Sequence, residues 1–427
     1  YEESPRPEEA DLAVVNTFLL VATCFPQPNL LRTGGSSSSG RGGSRSSEVD
    51  RGSEELEEVL LASDSYTQAQ EIVEANYVDE VSGDSLLRAA ARGIRRMAGE
   101  GAGEEALVNR GIVAMLDSLE DPFSSFMERE ELEMLDTQLS GHFSGVGVAM
   151  QTAKNETRVV KVLEGTPAQE AGIQEGDIVR EVDGRDVTGM ELNKVVMLIR
   201  GPEGTTVRLG VVRPPSSSPI FFDIVRRDIE IPVVETEMKA AGVGYLSVTD
   251  WTEDVDRKIA EALDALGGQG AKALVMDLRS NPGGYMEPAI RAADLFLRDG
   301  VIVSSSGRVY GASNEYVADG EVRWDLPVVL LVDRGTASSS EIFAAALRDN
   351  QRCTLVGETT FGKGSIQKIF RQDDGSGLRL TIARYYPPSG ASIDDEGIVP
   401  DVLVKNPVVG EEDLQLETAI REASGGP

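Results

Sequence analysis

"PVVLLVDRGTASSSEIFAAALRDN", residues 327–350, carries the decision about the fold in one segment. It opens on a continuous apolar run, as a strand buried on both faces of a parallel sheet does. It closes on a helix, 340–350, and between the two stand Ser338, Ser339 and Ser340. Working outward, "AKALVMDLR" (271–279) is a second such strand, followed by a helix in "MEPAIRAADLFLRDG". "CTLVGET" (353–359) is a third. The order βαβαβ predicts an α/β layer architecture. Its chemistry belongs beyond the carboxyl ends of the strands, here at "DLRSNPGG" and "DRGTASSS".

Upstream the pattern changes twice. From residue 143, "FSGVGVAM", "TRVVKVL" and "TTVRLGVVR" read as short strands, with a helix in "MELNKVVMLIRG" and a surface loop at "PPSSSP" (214–219). That is the length of one small β-rich module. Residues 66–140 have apolar positions at helical spacing, up to Pro122 in "EDPF", which cannot continue a helix. Residues 33–53 are a Gly/Ser-rich linker, and "LAVVNTFLLVATCF" (12–25) reads as a degenerate export signal or a disordered tail. The expected divisions are a tail and linker over 1–63 and helices over 64–140. A β module follows over 141–228, an α/β core over 229–410 and a C-terminal tail over 411–427.

Composition narrows the function. The net charge of −31 over 427 residues argues against nucleic acid or an anionic membrane surface as partner. Cys24 and Cys353 form no CxxC pattern, and a single histidine removes the usual zinc-protease spacing. No metal or cofactor is expected.

A serine between strand and helix is most often an N-cap, accepting an otherwise unpaired N–H of the first turn. It also sits beside helix-start amides that can stabilise an oxyanion. A nucleophilic hydroxyl needs a base. His142, the only imidazole, lies in a different module and reads as a surface or turn residue. A lysine amine is the other choice, because burial lowers its pKa while an arginine stays charged. Only nine of the 41 basic residues are lysines, and Lys363 stands between glycines in "TFGKGSIQ" (360–367) just after the third strand. On strand alternation Gln367, four residues on, shares its face and offers an amide oxygen to orient the amine.

From about residue 66 to 405 the chain resembles the carboxy-terminal processing, or tail-specific, peptidases. These are serine–lysine endopeptidases with an internal PDZ domain. "LEDPFSSFM", "FSGVGV", "DLRSNPGG", "DRGTASSSEIFAAALRDN", "GETTFGKGSIQ" and "YYPPSGASIDDEGIVPD" match that family's motifs in order. "EGTPAQEAGIQEGDIV" resembles the PDZ consensus. The resemblance implies an α/β core of the crotonase/ClpP-like kind, with an inserted, mainly β PDZ domain and an N-terminal helical segment. It aligns Thr336, Ser338 and Ser340 with the family's three serines and makes Ser338, 25 positions before Lys363, the nucleophile. Residue 339 is Ser where the family usually has Ala. The backbone N–H groups of Ser339 and Gly284 are then the oxyanion donors, Gln367 matches the family's glutamine, and Asp349 has a supporting role. Ser340, next to Glu341, fits the start of the helix.

The same resemblance implies peptide-bond hydrolysis through an acyl-enzyme, on proteins whose nonpolar C-terminal tails bind the PDZ domain. Phe143, Gly145, Val146, Gly147 and Val148 are expected to present backbone N–H groups and apolar side chains to the tail. Val195, Val196 and Ile199 are expected to complete the pocket, and Arg200 to couple tail binding to activity. A membrane tether at the N-terminus, a homo-oligomer and an adaptor are partners this reading leaves room for, and it places the protein in the periplasm or cell envelope. Two rival readings compete. A non-catalytic PDZ scaffold would have no use for Ser338, Lys363 and Gln367 together. A crotonase-like thioester enzyme would not need the PDZ insertion or Lys363.

Overall fold

Hydrophobic runs without polar alternation build the centre of the larger of two units. The structure, a computed structural model, describes residues 56–97, 103–153, 155–309, 311–406 and 412–425. Ala273–Asp277 and Val328–Val332 are buried at every position, as middle strands covered on both faces must be. They lie in a sheet of order Val234–Met238, Val243–Val248, Ala273–Asp277, Val328–Val332, Thr354–Gly357 and Val402–Leu403. The first pairing is antiparallel and the rest are parallel. Helices Val255–Gly268, Met286–Asp294 and Ser339–Asp349 belong to its crossovers.

A second sheet in this unit has Gly377–Tyr386 as its long member, pairing with Ser125–Met127, Val301–Ser306 and Ser365–Arg371. Helices Asp64–Asn76, Gly83–Met97 and Glu104–Asp117 share one core with Leu378 and Leu380 of that strand. The N-terminal helical segment is therefore part of the larger unit, because its apolar faces have that sheet to cover.

The expected C-terminal tail is corrected. Leu414–Ala423 is a helix whose Ala419 and Ala423 pack with Val275, Val329 and Val356 of the central sheet. Asp413 caps it by accepting the Leu416 N–H and binds Arg279 through two nitrogens. The core of this unit thus runs past residue 410.

The smaller unit is His142–Ile231. Its main sheet has the order Val148–Ala153, Glu156–Val162, Ile178–Val182, Thr206–Val212 and Pro219–Val225, with helix Leu192–Ile199 contributing Val195, Val196 and Ile199 to the core. His142–Gly145 pairs with Arg227–Glu230, so the closing strand runs beyond residue 228. The apolar run 12–25 and the linker 33–53 lie outside the described residues. Among the described residues no helix is long and apolar enough to cross a membrane.

Candidate active site

Three loops at the carboxyl ends of the parallel strands meet in the larger unit. The first, Leu278–Tyr285, is shaped by Asn281. Its side-chain Nδ2 donates to the Val248 carbonyl at 2.9 Å and its Oδ1 accepts the Gly283 N–H at 3.0 Å. Its own carbonyl accepts the Ala337 N–H and the Ser340 hydroxyl. Gly283 and Gly284 have φ of +107° and +145°. A Cβ on Gly284 would lie 2.4 Å from the Trp251 carbonyl, and one on Gly283 would lie 2.9 Å from Cβ of Ser338. Only glycine fits here, and the reason is close approach as well as φ. The Trp251 N–H and C=O bond to the Gly283 C=O and Tyr285 N–H. The Gly284 peptide therefore turns to the other side, where its carbonyl accepts the Ser339 hydroxyl at 3.0 Å.

The second loop carries the serines. Thr336 hydroxyl donates to the Leu278 carbonyl and accepts the Asp333 N–H, fixing the turn. Ser338 has φ +56° and ψ −118°, a conformation a non-glycine residue holds only when its surroundings enforce it. The helix begins at Ser339, so the N-cap is Ser338 and not Ser340. The hydroxyl of Ser340 is committed elsewhere: it accepts the Trp251 indole N–H at 2.9 Å. Ser339 opens the helix, where its N–H has no intrahelical acceptor. Ser338 is half-buried and Ser339 buried.

The third loop follows Thr354–Gly357 and presents Lys363, which is 8% exposed. Burial is the largest influence on its amine, with Arg379 adding repulsion and Asp121 and Glu341 opposing. The net effect brings its pKa from 10.5 down to about 8. At pH 7 about a tenth of such amines are neutral, against about three in ten thousand for an ordinary lysine. The ring of Phe123 lies 5.0 Å from the Lys363 Nζ.

The serine and lysine loops are joined by a residue that the sequence reading did not assign. One oxygen of the fully buried Glu341 carboxyl accepts the N–H groups of both Ser338 and Lys363 at 2.9 Å. The other accepts the Gly362 N–H at 2.8 Å and the Thr360 hydroxyl. Burial pushes this carboxyl above its ordinary range, and those hydrogen bonds pull it back. Tyr385 repeats the bridge on the carbonyl side, donating its hydroxyl toward the Lys363 carbonyl, with the Ser338 carbonyl 3.2 Å away. A signal for Glu341 was available: Ser338-x-x-Glu341 is the capping-box spacing.

Gln367 does not owe its place to strand alternation. The strand starts at Ser365, after the lysine, and a bulge falls between Ile366 and Gln367. Its amide nitrogen donates to the hydroxyls of Ser365 at 2.9 Å and Thr381 at 3.2 Å, which fixes the amide plane. Asp349 ends the serine helix, paired with Arg348 at 3.0 Å and accepting the Ser389 N–H at 3.1 Å, so it ties the helix to "PPSG".

In the smaller unit an open pocket of about 220 Å³ is lined by Phe143, Gly145, Val146, Gly147, Val148, Met150, Val196, Ile199 and Arg200. Val195 is corrected: it is 0% exposed and belongs to the core, because it lies on the inward side of its helix. Met150 takes a place in the lining instead. The guanidinium of Arg200 lies 5.2 Å from the Phe143 ring centre, and burial lowers its pKa. His142 belongs to this unit, with its Nδ1 3.2 Å from Asp228.

Comparison with known proteins extends the motifs to whole chains. Residues 242–404 match the model of peptidase family S41, and residues 158–213 match that of the PDZ domain. A carboxyl-terminal-processing protease of Synechocystis is 36% identical over 327 residues, covering 74% of this chain and 76% of the relative. The chain belongs to peptidase family S41. Within that family the carboxy-terminal processing protease CtpA of Bacillus subtilis is 37% identical over 304 residues, 71% of this chain and 65% of that protein. A solved photosystem II D1 C-terminal processing protease is 29% identical and superposes with a TM-score of 0.52, covering 86% of this chain and 97% of the other. The S41 core with a PDZ domain is thus the fold of this protein, and its relatives are carboxy-terminal processing proteases.

Proposed function

We propose that this S41 chain is a serine endopeptidase in which Ser338 is the nucleophile and Lys363 the general base. The observation that carries the reading is the Glu341 carboxyl, which holds the backbones of both residues while the lysine amine is kept poorly solvated. Neutral Lys363 takes the hydroxyl proton of Ser338 as its oxygen attacks a peptide carbonyl. The N–H groups of Gly284 and Ser339 receive the oxyanion, each contributing about 3 kcal/mol in comparable sites. The ammonium then protonates the leaving amine, and water hydrolyses the acyl-enzyme. Gln367 orients the amine, and Asp349 supports the serine helix from its far end.

Substrate choice falls to the PDZ pocket, whose aliphatic lining suits a nonpolar C-terminal tail and whose "FSGVGV" backbone suits its carboxylate. The family resemblance supports work outside the cytoplasm, in the cell envelope.

The pH profile tests the base. Protonated Lys363 cannot accept a proton, so kcat/KM should rise about tenfold per pH unit below a pKa of about 8 and level above it. A bell centred near the pKa of a histidine would reject the lysine. Cleavage of one unfolded protein with and without an apolar C-terminal tail tests recognition, and equal rates would reject the tail reading. Peptide binding without cleavage at any pH would leave a scaffold.

A further inference from the structure

Asp121-Pro122-Phe123-Ser124 resembles a family motif; Asp121 and Phe123 stand near the Lys363 amine, yet no step proposed above uses either. Its placement is specific. The ring of Phe123 sits over the Lys363 amine, 5.0 Å from Nζ to its centre. The segment is held there from both sides. Asp121 accepts the Phe123 N–H at 2.9 Å and the Ser124 hydroxyl at 2.6 Å. Arg379 Nε donates to the Phe123 carbonyl at 3.1 Å, and the Thr381 N–H donates to the Ser124 oxygen at 3.0 Å. Arg379 and Thr381 belong to the strand Gly377–Tyr386, whose Tyr385 hydroxyl also grips the Lys363 carbonyl. One strand thus fixes both the backbone of the lysine and the ring above its amine.

We propose that Phe123 is a positioning residue that sets the basicity of the Lys363 amine by occupying the space where water would solvate it. This rests on Lys363 acting as the base. The ring has two opposed effects. Its π face attracts an ammonium and favours the protonated form, while its bulk keeps water away and favours the neutral one. Three charges also face the amine: Asp121 and Glu341 favour the ammonium, and Arg379 disfavours it. Burial is the leading cause of the lowered lysine pKa, and Phe123 is one of the groups that bury this amine.

Two substitutions separate these effects. Phe123→Ala opens the space to water, and the amine should titrate about one unit higher, lowering kcat/KM at pH 7 about tenfold and at the alkaline plateau by less. Phe123→Leu keeps an apolar cover without the π face, and its amine should titrate at or below the parent value. The amine is read directly by NMR titration of the lysine side chain in a Ser338→Ala background, with Lys363→Arg giving the assignment. An unchanged amine pKa in Phe123→Ala overturns the proposal, and so does an equal upward shift in both variants. If the amine shifts as stated but the rate profile does not follow, the ring still sets the amine, and Lys363 is not the base.

Discussion

The two units are equipped for a peptide by opposite means. The candidate active site is made of polar groups almost all committed to one another: Asn281, Thr336, Ser340, Glu341 and Tyr385 each fix a loop backbone through hydrogen bonds. The PDZ pocket is made mostly of apolar side chains and glycine backbone, with Arg200 its one charged lining residue. The difference follows from the two tasks proposed for them. Bond cleavage needs donors and a base held at fixed positions before the substrate arrives. Recognition of a nonpolar tail needs shape and apolar area, which tolerate exchange of one aliphatic residue for another.

Substitutions can sharpen that contrast. The largest effect belongs to the proposed dyad: Ser338→Ala and Lys363→Ala should each lower kcat about 10⁴-fold or more while tail binding, followed by fluorescence anisotropy of a labelled peptide, is unchanged. Residual activity above a hundredth of the parent in Lys363→Ala would break the comparison. Next comes Glu341→Gln, which keeps the shape but turns an NH2 group toward donors. A loss of about 2–3 kcal/mol of stability by denaturant titration and about 10²-fold in kcat is expected. Ile199→Ala trims a side chain shared by the pocket and the core of the other unit, and should raise KM severalfold for tailed substrates while leaving untailed ones unaffected. The smallest effect is Asp349→Asn, which loses the Arg348 pair yet keeps an acceptor for Ser389, within about 1 kcal/mol of the parent.

The contrast also explains which parts could be read from the sequence. The strand at 327–335 and the helix after it were legible because buried parallel strands are apolar at every position. The glycines of "NPGG" were legible because backbone packing admits no side chain there. The bridging role of Glu341 was not, since a carboxyl reaching N–H groups of two loops has no periodicity. Its capping-box spacing marked only the helix start, which the reading assigned to Ser340 instead of Ser338. That Val195 misses the pocket and Met150 reaches its lining was not legible, because which side of a short helix or strand faces a pocket is settled by tertiary packing. The helix 414–423 is not legible as part of the core, since its apolar residues look sparse until the sheet they cover is known.

The Glu341 bridge has a consequence for how the site comes apart. The amides of Ser338, Gly362 and Lys363 share one acceptor group, so an opening that breaks the contacts of one loop strands the donors of the other. Their hydrogen exchange should therefore proceed as one cooperative event, with a common opening free energy. A chain caught part-way through folding would then lose the proposed nucleophile and base together, and a misfolded copy would be inert instead of an unguarded protease.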